Sequence, residues 1–109
     1  MKKTTFFAAC RAAVGVEFKK MDGYNEFFVA SDGTPLELIF HRSINYGRNT
    51  WAISERSTGL SCNEHAPTRK ELLNKCTPAF IDRCAAALKK DACIKMRKNL
   101  VDYILKAGV

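Results

Sequence analysis

The sequence lacks several patterns by which common classes of protein are recognised. It has no glycine-rich phosphate-binding loop, because its six glycines stand singly, mostly at predicted turns. No stretch approaches the roughly 18 consecutive apolar residues that cross a membrane, and no C-x-x-C pair occurs among the five cysteines. Carboxylates are sparse and unpaired along the chain. These absences give no support to a nucleotide-binding loop, a membrane partner or an acid–base active site, so we predict a protein that is not an enzyme.

The N-terminal segment begins like a leader peptide, with two lysines followed by an apolar run that ends at Cys10. A leader needs an uninterrupted apolar stretch of roughly 7–15 residues, and Arg11 ends this run too early. We therefore expect no leader and no lipid on Cys10, and we predict a cytoplasmic protein.

The five cysteines are too few and too irregularly spaced for a disulfide framework, since an odd number leaves one thiol unpaired. They are typical of free thiols packed as small apolar side chains in a reducing compartment. Cys62 and His65, with Cys76 and Cys84 downstream, are the one cluster that resembles a zinc or thiol site. Only one end of that cluster is closely paired, so we predict no metal and no cofactor.

The length of 109 residues favours a single domain spanning residues 1–109. Phe7, Cys10 and Val14 recur at helical spacing, which predicts an N-terminal helix over 4–14. From residue 21 to 63 the apolar period becomes two, which predicts an antiparallel meander of three or four strands. Its best segments are 26–30, 36–42, 51–56 and 60–62, separated by turn residues at 31–35, 45–49 and 57–59.

The C-terminal third carries two helix starts. Thr68 with Glu71 has the spacing of a capping box, and Thr77 with Pro78 places proline at a first helical position. The apolar stripe turns near Lys89–Asp91, which favours a break into a further helix over one continuous helix. The predicted fold is α+β, with an N-terminal helix, the meander, and two or three C-terminal helices packed on one sheet face.

Positive charge is concentrated at the C-terminal end. The net charge is +7 overall, and residues 69–109 carry ten Lys and Arg against four Asp and Glu. Such a field attracts an anionic partner, either nucleic acid or the acidic face of a protein complex. The residues predicted to bind it are Lys89, Lys90, Lys95, Arg97, Lys98, Arg42 and Arg48. The candidate aromatic stacking partners are Tyr24, Tyr46 and Trp51.

Residues 50–76, with Trp51 on a strand, a turn at Gly59 and a capped helix after Thr68, resemble two groups of small proteins. In outline they look like the meander-plus-helix DNA-binding modules of integrase arm-binding type. They also look like accessory proteins of bacteriophages and mobile elements, including inhibitors of host defence systems. The likeness is one of outline, so it assigns no functional residue.

The leading hypothesis is a small non-catalytic binding module that acts on a nucleic acid or on a protein complex that handles one. It is plausibly a phage or mobile-element accessory protein, or an inhibitor of a host defence system. The alternative is a structural subunit that forms a homodimer through Met96, Leu100 and Ile104 on the C-terminal helix. The third reading is a thiol or zinc enzyme around Cys62 and His65.

Overall fold

The computed structural model describes residues 1–13, 15–43 and 49–107. The elements in these ranges are β1 (Lys2–Arg11), β2 (Val16–Val29), β3 (Pro35–Arg42), β4 (Trp51–Glu55), β5 (Ser61–Ala66), α1 (Arg69–Asn74), α2 (Pro78–Leu88) and α3 (Asp91–Ala107). The strands form one antiparallel sheet in chain order, β1-β2-β3-β4-β5. The predicted N-terminal helix and the meander of three or four strands are wrong: the first described element is a strand, the antiparallel meander has five strands, and the three described helices all follow it.

Residues 4–11 of the segment predicted as the N-terminal helix belong to strand β1, and Val14 lies outside the described residues. Phe6 and Ala8 are buried on one face and Phe7 contacts α3 on the other, so the decisive period is two. All ten residues of β1 pair with residues 16–25 of β2. Four alanines between 8 and 13 favour a helix locally, and the pairing with β2 overrides that preference.

Strand β2 is long because it serves two partners in succession. Its residues 16–25 pair with β1, and its residues 24–29 pair with β3. Gly23 lies next to the residues at which β2 changes partner from β1 to β3. A Cβ atom at Gly23 would lie 2.5 Å from the Ile39 side chain. A glycine inside a strand is typical of such a bend and close approach. The predicted strand at 26–30 is therefore only the end of β2.

The bend curls the sheet so that β1 returns to the turn between β4 and β5. The Ala9 amide donates to the Gly59 carbonyl oxygen at 2.8 Å. The Arg56 guanidinium donates to the Thr5 carbonyl oxygen at 3.0 Å and to the Thr4 hydroxyl at 2.7 Å. The concave face thus becomes a small core of its own, in which Phe6 and Ala8 pack on Ile39.

The convex face carries the helices. Leu36, Leu38 and Phe40 of β3 form its centre, as their alternation with Glu37, Ile39 and His41 predicts. Helices α1 and α2 cover them with a set of buried apolar side chains, Leu72, Phe80, Ile81 and Ala85. Helix α3 lies against the β1–β2 hairpin, where the Tyr103 ring is 5.5 Å from Phe7 and 5.3 Å from Phe18, centroid to centroid.

The helix starts follow the sequence. The Thr68 hydroxyl accepts from the Glu71 amide at 3.1 Å, and the Thr77 hydroxyl accepts from the Phe80 amide at 3.2 Å. Helix α2 ends at Leu88 and α3 begins at Asp91, so the predicted break is confirmed. The apolar alternation and the helix stripes also predict a core of seven side chains, of which five are buried and two, Trp51 and Leu88, are half-buried. The buried five are Leu38, Phe40, Ile53, Leu72 and Ile81.

The concave core also holds a buried histidine, His41, whose ring lies 5.0 Å from that of Phe6, centroid to centroid. Nδ1 of His41 lies 2.8 Å from the Arg42 carbonyl oxygen, which can only accept, so this nitrogen carries the proton. Nε2 of His41 then accepts from the Ser54 hydroxyl at 2.8 Å. Burial lowers the pKa of His41 below its usual value of 6.5, since water cannot solvate the cation there.

The close approach at Gly59 gives a first prediction. Gly59 has φ +71°, and an added Cβ would lie 2.3 Å from the Phe7 carbonyl oxygen. We expect Gly59→Ala to lower the free energy of unfolding by roughly 2–4 kcal/mol, because it adds a backbone clash to left-handed strain. Gly33→Ala is the matched control: Gly33 has φ +87° and open space around it, so only the strain of about 1–2 kcal/mol applies. Urea unfolding measures both, and equal losses would contradict the clash.

The buried histidine gives a second prediction. Because its folded pKa lies below 6.5, the unfolded chain binds more protons as the pH falls through and below that value. We expect the free energy of unfolding to decrease by up to about 1.4 kcal/mol per pH unit below roughly pH 6.5. Urea titrations at several pH values measure this slope.

The matched variants are His41→Gln and His65→Gln. The first removes the buried imidazole and should flatten the slope, whereas the second removes the other histidine of the chain and should keep it. Stability that rises on acidification to pH 5 would contradict a neutral, buried His41.

Candidate functional site

Two arginines and two aromatic residues meet at one end of the convex face. Arg42 ends β3 and pairs across the sheet with Trp51, which begins β4. Tyr24 pairs with Phe40, so its side chain lies on the same face. Arg69 is the first residue of α1, placed there by the cap at Thr68. We call Tyr24, Arg42, Trp51 and Arg69 the arginine–aromatic cluster.

Both guanidinium groups of the cluster stack on rings. The Arg42 guanidinium carbon lies 4.3 Å from the centre of the Trp51 ring. The Arg69 guanidinium carbon lies 3.8 Å from the centre of the Tyr24 ring and 5.2 Å from that of Trp51. The two rings are 6.1 Å apart. Each contact is within the range of a cation–π interaction, so the rings restrict the positions of both cations.

The positive charge of this cluster is not neutralised within the described part of the chain, where neither guanidinium forms an ion pair. Two carboxylates lie on the same face of β2, each two residues from Tyr24: Glu26 lies 3.6 Å from the N-terminal ammonium, and Asp22 is exposed and forms no ion pair with a described residue. Lys3, opposite Tyr24 in the sheet, is exposed and adds a further cation on this side. The cluster is therefore a surface of excess positive charge.

The basic residues predicted from the C-terminal third lie around the junction of α2 and α3. Lys89 follows the last turn of α2 and forms an exposed ion pair with Asp32, whose pKa this hydrogen bond lowers. Arg97 donates to the Leu88 carbonyl oxygen at 3.3 Å. Lys90, Lys95 and Lys98 are exposed and make no ion pair with a described residue. Three of the five predicted cations are thus available to a partner.

The structure does not bring the two groups of predicted residues together. Lys89 is paired to the turn that precedes β3, whereas Arg42 is the last residue of that strand. A strand of this length spans roughly 23 Å at about 3.3 Å per residue. Arg48 and Tyr46, the other predicted residues of the hairpin, lie outside the described residues.

Tyr24 and Trp51 are half-buried, and each has a ring face covered by a guanidinium group. Their role in this arrangement is to hold the arginines, which differs from the predicted stacking on bases. Arg69 was missed by the sequence analysis, because the contact with Trp51 depends on the pairing of Trp51 with Ala66 on β5. The feature of the sequence that could have indicated Arg69 is its position immediately after the predicted helix cap at Thr68.

Three of the four residues that resemble a zinc or thiol site, Cys62, Cys76 and Cys84, pack on the convex core. His65 lies on the other face of β5, because it precedes Ala66, which is buried in that core. Among the residues that the structure describes, no group of three or more metal-ligating side chains is close enough to hold an ion. All five cysteines are free thiols.

The apolar stripe of α3 that was predicted to form a homodimer mostly packs against other residues of the same chain. Leu100 is 4% exposed, packed against the chain's own residues, and Met96 and Ile104 are half-buried. The exposed apolar side chains of α3 are instead Ile94, Val101, Tyr103 and Leu105. A dimer through Leu100 would require α3 to leave the sheet.

The largest groove, of about 670 Å³, lies between the β2–β3 hairpin and the α2–α3 junction. Its two carboxylates already have partners. Glu37 lies 2.7 Å from the Arg56 guanidinium, and Glu55 accepts from the Ser57 amide and hydroxyl at 2.7 Å each. This groove therefore holds no free acid–base pair.

No helix in the described ranges is long and apolar enough to span a membrane. The chain matches no protein-family model, no curated protein and no solved structure. The functional conclusion therefore depends on the residues of the chain itself.

Proposed function

We propose that this protein is a non-catalytic binding module that holds nucleic acid by its phosphate backbone, with the arginine–aromatic cluster as the principal contact. The observation that supports it most is the pair of guanidinium groups, Arg42 and Arg69, stacked on Trp51 and Tyr24 without a carboxylate partner among the described residues. The setting of a phage or mobile-element accessory protein stays a prediction.

Phosphate suits this arrangement because of how a guanidinium group binds. Stacking uses the flat face of the group, and the N–H donors lie in its plane and remain directed outward. Two such donors match two phosphate oxygens in a bidentate contact. Because the rings already restrict Arg42 and Arg69, less side-chain entropy is lost when an anion binds.

The charge around the cluster favours a polyanion over a single small anion. Lys3 is exposed on the same side, and Lys70 follows Arg69 at the start of α1. The lysines of the α2–α3 junction offer a second cationic region that a long phosphate chain can reach and a small anion cannot. With a net charge of +7, the whole domain attracts such a partner at long range.

The proposal predicts weaker binding when either arginine of the cluster is removed. We expect Arg42→Ala and Arg69→Ala each to raise the Kd for nucleic acid about tenfold at low salt, since each removes a charge-assisted contact. Each should also reduce the slope of log Kd against log salt by about one. Fluorescence anisotropy with labelled duplex and single-stranded oligonucleotides measures both quantities.

The matched controls separate position from total charge. Lys19 is exposed and pairs with Ala8 on the opposite face of β2, so Lys19→Ala should leave the Kd within about twofold. Arg42→Lys keeps the positive charge but loses the paired N–H donors of the guanidinium group. Its affinity for nucleic acid should therefore lie between those of Arg42→Ala and the wild-type protein. A double change of Lys95 and Lys98 to Ala measures the second cationic region. If the wild-type protein binds neither oligonucleotide at low salt, the proposal is wrong. The acidic face of a protein would then be the partner to test.

A further inference from the structure

Three cysteines from different elements line one cavity on the side of the domain where α2 packs over β5. Cys62 of β5, Cys84 of α2 and Cys93 of α3 all border a cavity of about 380 Å³. Each of the three is half-buried, so each is packed by protein and still reachable from the cavity. They are separated in sequence and come together only in the fold.

Two of these thiols are neighbours. Cys62 and Cys84 line the same cavity and pack against the same core, and each shifts the pKa of the other. Cys76 also packs on that core, but it lies just beyond the end of α1, and its thiol donates to the Leu72 carbonyl oxygen of that helix at 3.6 Å. Cys62 and Cys84 are therefore the pair already placed side by side.

The two thiols of the pair differ in acidity. The neighbouring Cys62 side chain lowers the pKa of Cys84, assisted by the charge of Arg83 against the opposing effects of burial and Glu55. The neighbouring Cys84 side chain, together with burial, raises the pKa of Cys62. Burial raises the pKa of Cys76 to about 11. Cys84 is thus the thiol that ionises first, and the thiolate is the reactive form.

We propose that Cys84 and Cys62 are a peroxide-sensitive dithiol pair that closes reversibly to a disulfide between α2 and β5. The Cys84 thiolate attacks one oxygen of hydrogen peroxide, the O–O bond breaks, and the departing hydroxide takes a proton to leave as water. Cys84 is then a sulfenic acid. The Cys62 sulfur attacks the Cys84 sulfur, loses its proton, and displaces a second water as the S–S bond forms. Two thiols are oxidised, one peroxide is reduced, and a thiol reductant reverses the change.

This inference does not depend on phosphate binding. The cavity is bordered by α2, α3 and β5, and none of the four residues of the arginine–aromatic cluster lines it. Failure of one proposal therefore leaves the other standing. The disulfide would join α2 covalently to β5.

The test is treatment of the reduced full chain with a few equivalents of hydrogen peroxide, followed by mass spectrometry. We expect a mass loss of about 2 Da per chain, reversed by a thiol reductant. Peptide mapping without reductant should recover the peptide that contains Cys62 linked to the peptide that contains Cys84. A different linked pair, or oxygen atoms added to Cys84 without a linkage, would overturn the proposal.

Variants give an independent readout. Cys93→Ser, from the same cavity, and Cys10→Ser, from β1, should still lose about 2 Da, whereas Cys84→Ser should not. In Cys62→Ala the thiol beside Cys84 is gone, so the pH at which Cys84 is half-alkylated by iodoacetamide should rise above its wild-type value. An unchanged alkylation profile in folded Cys62→Ala protein, checked by circular dichroism, would contradict the pairing.

Discussion

The fold depends on one close approach between backbones, that of β1 to the turn between β4 and β5. The Ala9 amide reaches the Gly59 carbonyl oxygen at 2.8 Å, and the space beside Gly59 is too small for a methyl group. This contact gives the curled sheet a concave face that its own side chains can fill. Without this contact, Phe6 and Ile39 would be exposed to water, and His41 would lack the burial that lowers its pKa.

The curl of the sheet also determines where the positively charged side chains lie. A flat sheet would expose two faces, whereas here the convex face carries the helices and the arginine–aromatic cluster. The helices cover its centre, and α1 begins at the end where β3 finishes and β4 begins, so the arginine–aromatic cluster lies at the edge of the helix layer. The α2–α3 junction carries the other cations, with Asp82 holding the Ser31 amide and hydroxyl at 2.8 and 2.7 Å to fix α2 on the β2–β3 turn.

The features that the sequence predicted correctly are those that depend on residues close together in the chain. The caps at Thr68 and Thr77 and the alternation along β3 depend on neighbours a few residues away, so they could be read from the sequence. The N-terminal strand could not, because its alanine-rich stretch favours a helix until β2 pairs with it. Likewise Arg42 and Trp51 were predicted for the site, whereas Arg69 needed the register of β5, and the contact of Cys62 with Cys84 needed the packing of α2.

Strand order that follows chain order has a consequence for how the protein is made. Each hairpin joins segments adjacent in the chain, so its formation closes only a short loop. The contact between Ala9 and Gly59 closes about fifty residues and costs correspondingly more chain entropy. During synthesis β1 leaves the ribosome first, yet its final partner follows about fifty residues later. Until then β1 can pair with β2, and Phe6 and Ala8 can pack on Ile39 of β3, but the concave face stays open beside the turn that has still to be made.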